Sequence, residues 1–349
     1  MDISILIFLT SGLFLGWALG ANDAANVFGT AVGSRMVKFS TAAILCSIFV
    51  IIGAVVSGSG AASTLGKLGA ITELPGAFIA ALSAGFAVHL MTKAGIAVST
   101  TQAIVGAIIG WNLFTNTATD QSSLTKIVST WLICPILAAV ISAIMYKGVT
   151  AFIRRVNIHL LSTDAYTRLG LLVAGSFGAY SLGANNIGNV IGVFIPSSPF
   201  TDFSVAGLFT MTSIEQLFLV GAISIAVGVI TYSKRVMMTI GRGMMPLSPI
   251  AAWVAVMSHS IVLFLFASRG LESFLASHGL PTIPLVPVSS SQAVVGAVLG
   301  IALLHGGREI QWKVVGNIIV GWMITPIIAC IFCFVGLFFL QNVFNQRVF

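Results

Sequence analysis

The chain has 349 residues, of which 57% are hydrophobic and 7% charged, with a formal net charge of +7. Soluble domains carry about 25% charged residues, so a water-soluble fold is excluded for want of polar surface. The positive balance does not point to nucleic acid, because the basic residues stand between apolar runs, as the loops of membrane proteins do.

Inside a bilayer the backbone must satisfy itself as helices or as a closed barrel. Barrel strands alternate in polarity, whereas Ile44–Val56, Ile127–Tyr146 and Ile318–Leu340 are nearly solid apolar stretches. The sequence therefore predicts an all-α integral membrane protein, multi-pass and placed in the cell inner (plasma) membrane. Residues 3–20 read as a first span rather than a cleavable signal. Asp2 is acidic where a signal would be basic, and no A-x-A-like site closes the run.

Gly20-Ala21-Asn22-Asp23-Ala24-Ala25-Asn26 follows. An acid inside a membrane segment is costly and marks function by default. Gly and Asn predict a broken helix with freed carbonyls. Asp23 and Asn26 with such carbonyls suit a hard cation such as sodium, or Asp23 alone takes up a proton. Next comes Ser99-Thr100-Thr101-Gln102, before a short apolar run. The segment at about 94–114 is predicted to be a re-entrant hairpin whose polar tip starts a helix. Lys147, Arg154, Arg155 and Arg168 form a basic cluster assigned to the cytoplasm, and the first repeat, 1–160, ends within it.

The second repeat, 161–349, copies the first in order. Gly183–Gly192 matches Gly20–Gly29 at six of ten positions, with Asn185, Asn186 and Asn189 facing Asn22, Asp23 and Asn26. Ser289–Gly300 matches Ser99–Gly110 at seven of twelve, and Trp322–Pro326 matches Trp131–Pro135. The offsets are 163, 190 and 191, so about 27 extra residues lie between the first and second motifs of this half. Within it, Ser213 and Gln216 suggest a capping box, with Glu215 at a helix start. Lys234, Arg235 and Arg242 form a second cytoplasmic basic cluster. Met237, Met238, Met244 and Met245 are expected to pack near a membrane edge. His89, His259 and His305 are expected to be packed or interfacial, and Cys46, Cys134, Cys330 and Cys333 to be packing residues. Pro281, Pro284 and Pro287 forbid a regular helix before Ser289, which becomes a natural N-cap. The helix after it is too short to span, so about 281–305 is predicted to be the second hairpin. Arg308, Glu309 and Lys313 read as a solvated loop beyond it.

Both hairpin tips present free amides, half a positive charge and hydroxyls, which together make an anion site. The predicted anion-binding residues are Ser99, Thr100, Thr101, Gln102, Ser289, Ser290, Ser291, Gln292, Asn22 and Asn185. The predicted cation-coupling residues are Asp23, Asn26, Asn186 and Asn189, with Asp23, Asn26 and Asn189 holding sodium if sodium is the coupling ion. No cofactor is expected beyond such ions. One set of groups prefers an anion and the other a cation, as coupled transport of a small oxyanion requires; an anion channel is the nearer rival. Intramembrane enzymes are disfavoured, because no second buried acid, H-E-x-x-H, P-loop or base beside Ser99 or Ser289 stands in the sequence.

These paired motifs resemble the signatures of the inorganic phosphate transporter (PiT) family, over essentially the whole chain. The resemblance implies two inverted-topology repeats, about ten to twelve transmembrane helices plus two re-entrant hairpins, and phosphate uptake coupled to sodium or protons. It also implies a homodimer in the lipid bilayer. The long cytoplasmic loop of animal members is missing. The family has Asp in both signature copies and often His at the hairpin motif, whereas this chain has Asn186, Gln102 and Gln292. Fewer acids favour an anion with no proton to give, so sulfate is the alternative substrate, as in the family's sulfate-permease branch.

Overall fold

Lipid tails are as apolar as leucine, so helices in a bilayer associate through close backbone approach at small residues. The computed structural model describes residues 3–69, 71–94, 98–156, 160–205, 209–240, 247–308 and 310–349. In the first half the helices are α1 (Ile3–Gly33), α2 (Phe39–Ser57), α3 (Ser59–Leu68), α4 (Leu74–Lys93), α5 (Thr100–Thr115) and α6 (Gln121–Val156). In the second they are α7 (Leu160–Ile191), α8 (Ser213–Thr231), α9 (Ser233–Ile240), α10 (Pro249–Leu265), α11 (Arg269–Ser277), α12 (Ser290–Leu304) and α13 (Trp312–Asn342). Two three-residue antiparallel strands, β1 (Phe203–Val205) and β2 (Phe209–Met211), pair with Ser204 opposite Thr210. They are the one departure from an all-α chain among the described residues.

The repeat is plain in this order: α1–α6 correspond to α7, α8, α9, α10, α12 and α13. The offset between halves is 163 at the first motif, 174 at Phe39 and Ser213, still 174 at Pro75 and Pro249, and 190 at Ser99 and Ser289. The additional residues thus fall in two places. The ribbon before α8 holds one set, and α11 with the proline-bearing segment before α12 holds the other.

The halves are exchanged rather than side by side. α1 packs on α8 while α7 packs on α2, and α5 packs on α13 while α12 packs on α6. Glycines set each crossing. A Cβ on Gly20 would strike the Ile225 carbonyl, and one on Gly183 the Val50 carbonyl. One on Gly106 would strike the Pro326 carbonyl, and one on Gly296 the Pro135 carbonyl. The repeated Trp-x-x-x-Pro segments are therefore the turns of α6 and α13 against which the opposite half's short helix presses. Reciprocal contacts of this kind are what a pseudo-two-fold axis between inverted repeats produces.

Six described helices are long and apolar enough to cross a membrane, and seven if α10 and α11, bent by 65°, form one span. By length and apolarity alone, the described residues thus hold fewer such helices than the ten to twelve spans expected. Several apolar segments are absorbed into helices as long as 36 residues, and α3, α9 and α11 have at most ten residues. α7 has 32 residues, but its asparagines lower its apolarity. Outward-facing Leu132, Ile136, Ile144, Met323, Ile327 and Ile331 coat α6 and α13. An apolar belt of that extent suits lipid and would not be stable in water.

Several smaller expectations are corrected. The helix is not broken at Gly20–Asn26 or at Gly183–Asn189, since α1 and α7 run through both motifs. Gly20 and Gly183 serve close helix approach instead, and the carbonyls around them remain within helices. In the second predicted hairpin the arm before α12 is non-helical from Leu280 to Ser289, as its prolines require. The matching arm before α5 includes residues 95–97, outside the described residues. The capping box at the start of α8 is Thr212 with Glu215, one residue earlier than Ser213 with Gln216. Met237 is fully buried, and Arg308 and Lys313 are exposed. Asp2, Arg242, Met244, Met245 and Glu309 lie outside the described residues.

Candidate functional site

Two helix starts meet inside the protein. Ser99 caps α5, its side chain accepting from the Gln102 amide at 3.2 Å, and Ser289 caps α12, accepting from the Gln292 amide at 3.3 Å. Both caps have extended backbone. The amides of Thr100, Thr101, Ser290 and Ser291, in the first turns, have no intrahelical acceptor. Helices of 16 and 15 residues stand behind these amides, so each tip carries the positive end of a helix dipole.

Thr101 joins the tips. Its hydroxyl accepts from Asn189 Nδ2 at 2.8 Å and lies 3.2 Å from the Val288 carbonyl and 3.4 Å from Asn186 Oδ1, to either of which it donates. Val288 immediately precedes the α12 cap. Asn185 fixes the same arm: its Oδ1 accepts from the Val288 amide at 2.8 Å, and its Nδ2 donates to the Val286 carbonyl at 3.1 Å. Ser289 Oγ lies 3.0 Å from Ser291 Oγ, and Cys134 Sγ approaches the Ser289 carbonyl at 3.8 Å.

α1 and α7 supply the remaining polar groups. Asp23 Oδ1 accepts from Asn22 Nδ2 at 2.7 Å, and its Oδ2 accepts from Thr100 Oγ1 at 3.1 Å. Asn26 Nδ2 donates to Ser290 Oγ at 3.1 Å. Each motif thus reaches the tip of the opposite half, Asn26 to α12 and Asn189 to α5. Asn189 Nδ2 also donates to Asn186 Oδ1 at 2.8 Å. All fourteen residues singled out from the sequence are buried, with exposures of 7% or less. The two sets therefore form one cluster.

Their roles within it are not equal. The amide of Asn185 is taken up by backbone on both sides, and the proton of Thr101 by protein oxygens, so these two side chains brace the tips. Among these fourteen residues four buried side-chain atoms have no partner: Asn186 Nδ2, a donor, and Gln102 Oε1, Gln292 Oε1 and Asn189 Oδ1, all acceptors. An unpaired buried polar atom is costly, and a bound anion or cation would relieve that cost. Asp23, Asn26 and Asn189 carry the hard oxygen donors that sodium takes; Asp23 and Asn189 both hydrogen-bond to the start of α5, at Thr100 and Thr101, while Asn26 reaches Ser290 on α12. Among the described residues no group of three or more His, Cys, Asp or Glu side chains stands together as a metal site.

The sequence reading misses His259. Fully buried on α10, it places Nε2 2.9 Å from Ser290 Oγ. Two of the other histidines pack at aromatic rings: His89 by Trp17 at 5.8 Å between centroids and His305 by Tyr146 at 5.3 Å. A repeat comparison carries the one available signal, because the corresponding turn of α4, Ser83-Ala84-Gly85, has no imidazole.

Known proteins share this architecture. The fold is similar to a solved structure described as the sodium-dependent phosphate transporter, with a TM-score of 0.75 at 21% identity over 98% of this chain and 100% of that one. The chain is 29% identical to the "Putative phosphate permease MJ0630" of Methanocaldococcus jannaschii, over 96% of this chain and 97% of that protein. It is 28% identical to the sulfate permease CysP of Bacillus subtilis, over 94% of this chain and 85% of that one. Residues 19–333 match the phosphate transporter family, with a further match at 280–348: the chain belongs to that family.

Proposed function

We propose that the chain is a secondary active transporter that takes up inorganic phosphate together with sodium or protons, binding the anion between the starts of α5 and α12. The observation that carries this reading is the junction of the two tips through Thr101 and Val288 at 3.2 Å. Two capped helix starts come together inside the protein with hydroxyls around them, a setting that favours negative charge without a basic side chain. Asp23, hydrogen-bonded to Thr100 at the start of α5, is the coupling group: a sodium ion or a proton there offsets the anion's charge, so the cation gradient drives the anion. We place the protein in the inner membrane as a homodimer, with the two segments at about 94–114 and 281–305 re-entrant.

Sulfate is a second reading, favoured by Asn186. Hydrogen phosphate carries a proton that a carboxylate accepts, and sulfate carries none, so replacing an acid by an amide removes a repulsion specific to sulfate. The resemblance to a protein named a sulfate permease agrees with it. Proteoliposomes with labelled phosphate test both readings. Uptake that follows an imposed sodium or proton gradient supports the carrier, and uptake indifferent to both gradients would indicate a channel. Sulfate that competes more strongly than unlabelled phosphate would reassign the substrate.

A further inference from the structure

Ser290 sits under two nitrogen atoms. Asn26 Nδ2 lies 3.1 Å from its Oγ and His259 Nε2 2.9 Å away. A serine hydroxyl has one proton and two lone pairs. The amide nitrogen of Asn26 donates, so it fills one lone pair. The imidazole either donates from Nε2 and fills the second, or accepts the serine proton.

The surroundings of His259 decide between these states. The residue is fully buried, and Nδ1 has no hydrogen-bond partner. If Nε2 accepted, Nδ1 would carry a buried N–H with nothing to receive it. If Nε2 donates, Nδ1 is a bare acceptor. Among backbone groups, orphaned buried N–H groups are rarer than under-satisfied carbonyls; by the same preference the imidazole is assigned the Nε2–H tautomer. Both lone pairs of Ser290 are then occupied, and its proton has to point away from Asn26 and His259.

We propose that His259 is a positioning residue of the anion site: by donating from Nε2 to Ser290 Oγ it turns the Ser290 proton toward a bare oxygen of the bound oxyanion. The proposal rests on the anion site lying between α5 and α12. It gives the site a direction. At the other tip Thr100 donates to Asp23 Oδ2, which leaves the Thr100 oxygen as an acceptor, whereas Ser290 is held as a donor. A bare oxygen is common to phosphate and sulfate, so His259 acts on both anions alike. The corresponding turn of α4, Ser83-Ala84-Gly85, offers no second imidazole, so one tip alone has this arrangement.

The test is titration of inorganic phosphate, then of sulfate, into the full-length purified chain in detergent with sodium present. His259→Leu is expected to weaken binding of whichever anion the wild type takes by about tenfold to a hundredfold, the loss of one hydrogen bond to a charged group. His259→Gln, whose amide nitrogen reaches as Nε2 does, is expected to recover most of that loss. Ser290→Ala is expected to match His259→Leu, and the double variant to bind no worse than Ser290→Ala alone. Equal weakening by Gln and Leu, losses that multiply in the double variant, or wild-type affinity in His259→Leu would each overturn the role of His259. If His259→Leu does not fold, the comparison of His259→Gln with Ser290→Ala decides: a glutamine variant as weak as Ser290→Ala overturns the role. A wild type that binds neither anion overturns both this role and the proposed function, whereas a binding wild type with unaffected variants overturns this role alone.

Discussion

Replacing Thr101 by valine removes one hydroxyl and almost no volume. The side chain is fully buried, so no water enters to replace what is lost. Two groups lose a partner: Asn189 Nδ2, which keeps only Asn186 Oδ1, and the Val288 carbonyl, which Thr101 reaches at 3.2 Å. Stranding a buried polar group costs about 1–3 kcal/mol, so the variant is expected to lose roughly 2–6 kcal/mol at the junction of α5, α7 and the arm before α12. Thr101→Ser is the control. It keeps the hydroxyl and deletes one methyl, at about 1 kcal/mol. Thermal unfolding in detergent and phosphate binding are the two readouts. The valine variant is expected to unfold at a clearly lower temperature than the serine variant and to bind phosphate at least tenfold more weakly. If valine and serine variants behave alike in both, the hydroxyl does not hold the tips together and the argument for their junction fails.

Asp23→Asn keeps the shape beside Thr100 and removes the charge; phosphate uptake is expected to lose its sodium or pH dependence, and unaltered dependence on both would refute the coupling role. Gly106→Val and Gly296→Val place side chains against the Pro326 and Pro135 carbonyls, and each is expected to lower the unfolding temperature by a similar amount; an unchanged midpoint in either would contradict the exchanged packing of the halves. Asn186→Asp puts an acid opposite Asp23 in the repeat, and its expected effect is a higher ratio of phosphate to sulfate affinity in competition uptake; a lower ratio would count against the proton argument.

Much of the site is legible in the sequence because its polar residues have no ordinary reason to lie in apolar segments. Ser99 and Ser289 are readable as caps from the prolines before one copy and the repeat that carries the inference to the other. The clustering of Asn22, Asp23 and Asn26 with Asn185, Asn186 and Asn189 follows from their repetition at matching positions. What the sequence does not disclose is pairing at long range. Nothing local tells Gly106 that its neighbour is Pro326, more than two hundred residues away, so the exchange of α5 and α12 between halves has no local signature. Gly20 misleads for the same reason: a glycine in a polar motif reads as a helix break, whereas here it admits the backbone of α8. His259 is hidden because one histidine in an apolar helix looks like packing until Ser290, thirty-one positions on, is placed beside it.

The most direct test of the account is the position of a bound anion. Arsenate has the geometry and charge of phosphate, and arsenic scatters anomalously. Crystals of the full chain grown with arsenate are predicted to show one anomalous peak between the first turns of α5 and α12, within hydrogen-bonding reach of the amides of Thr100 and Ser290. A peak elsewhere, with that space empty, would contradict the account.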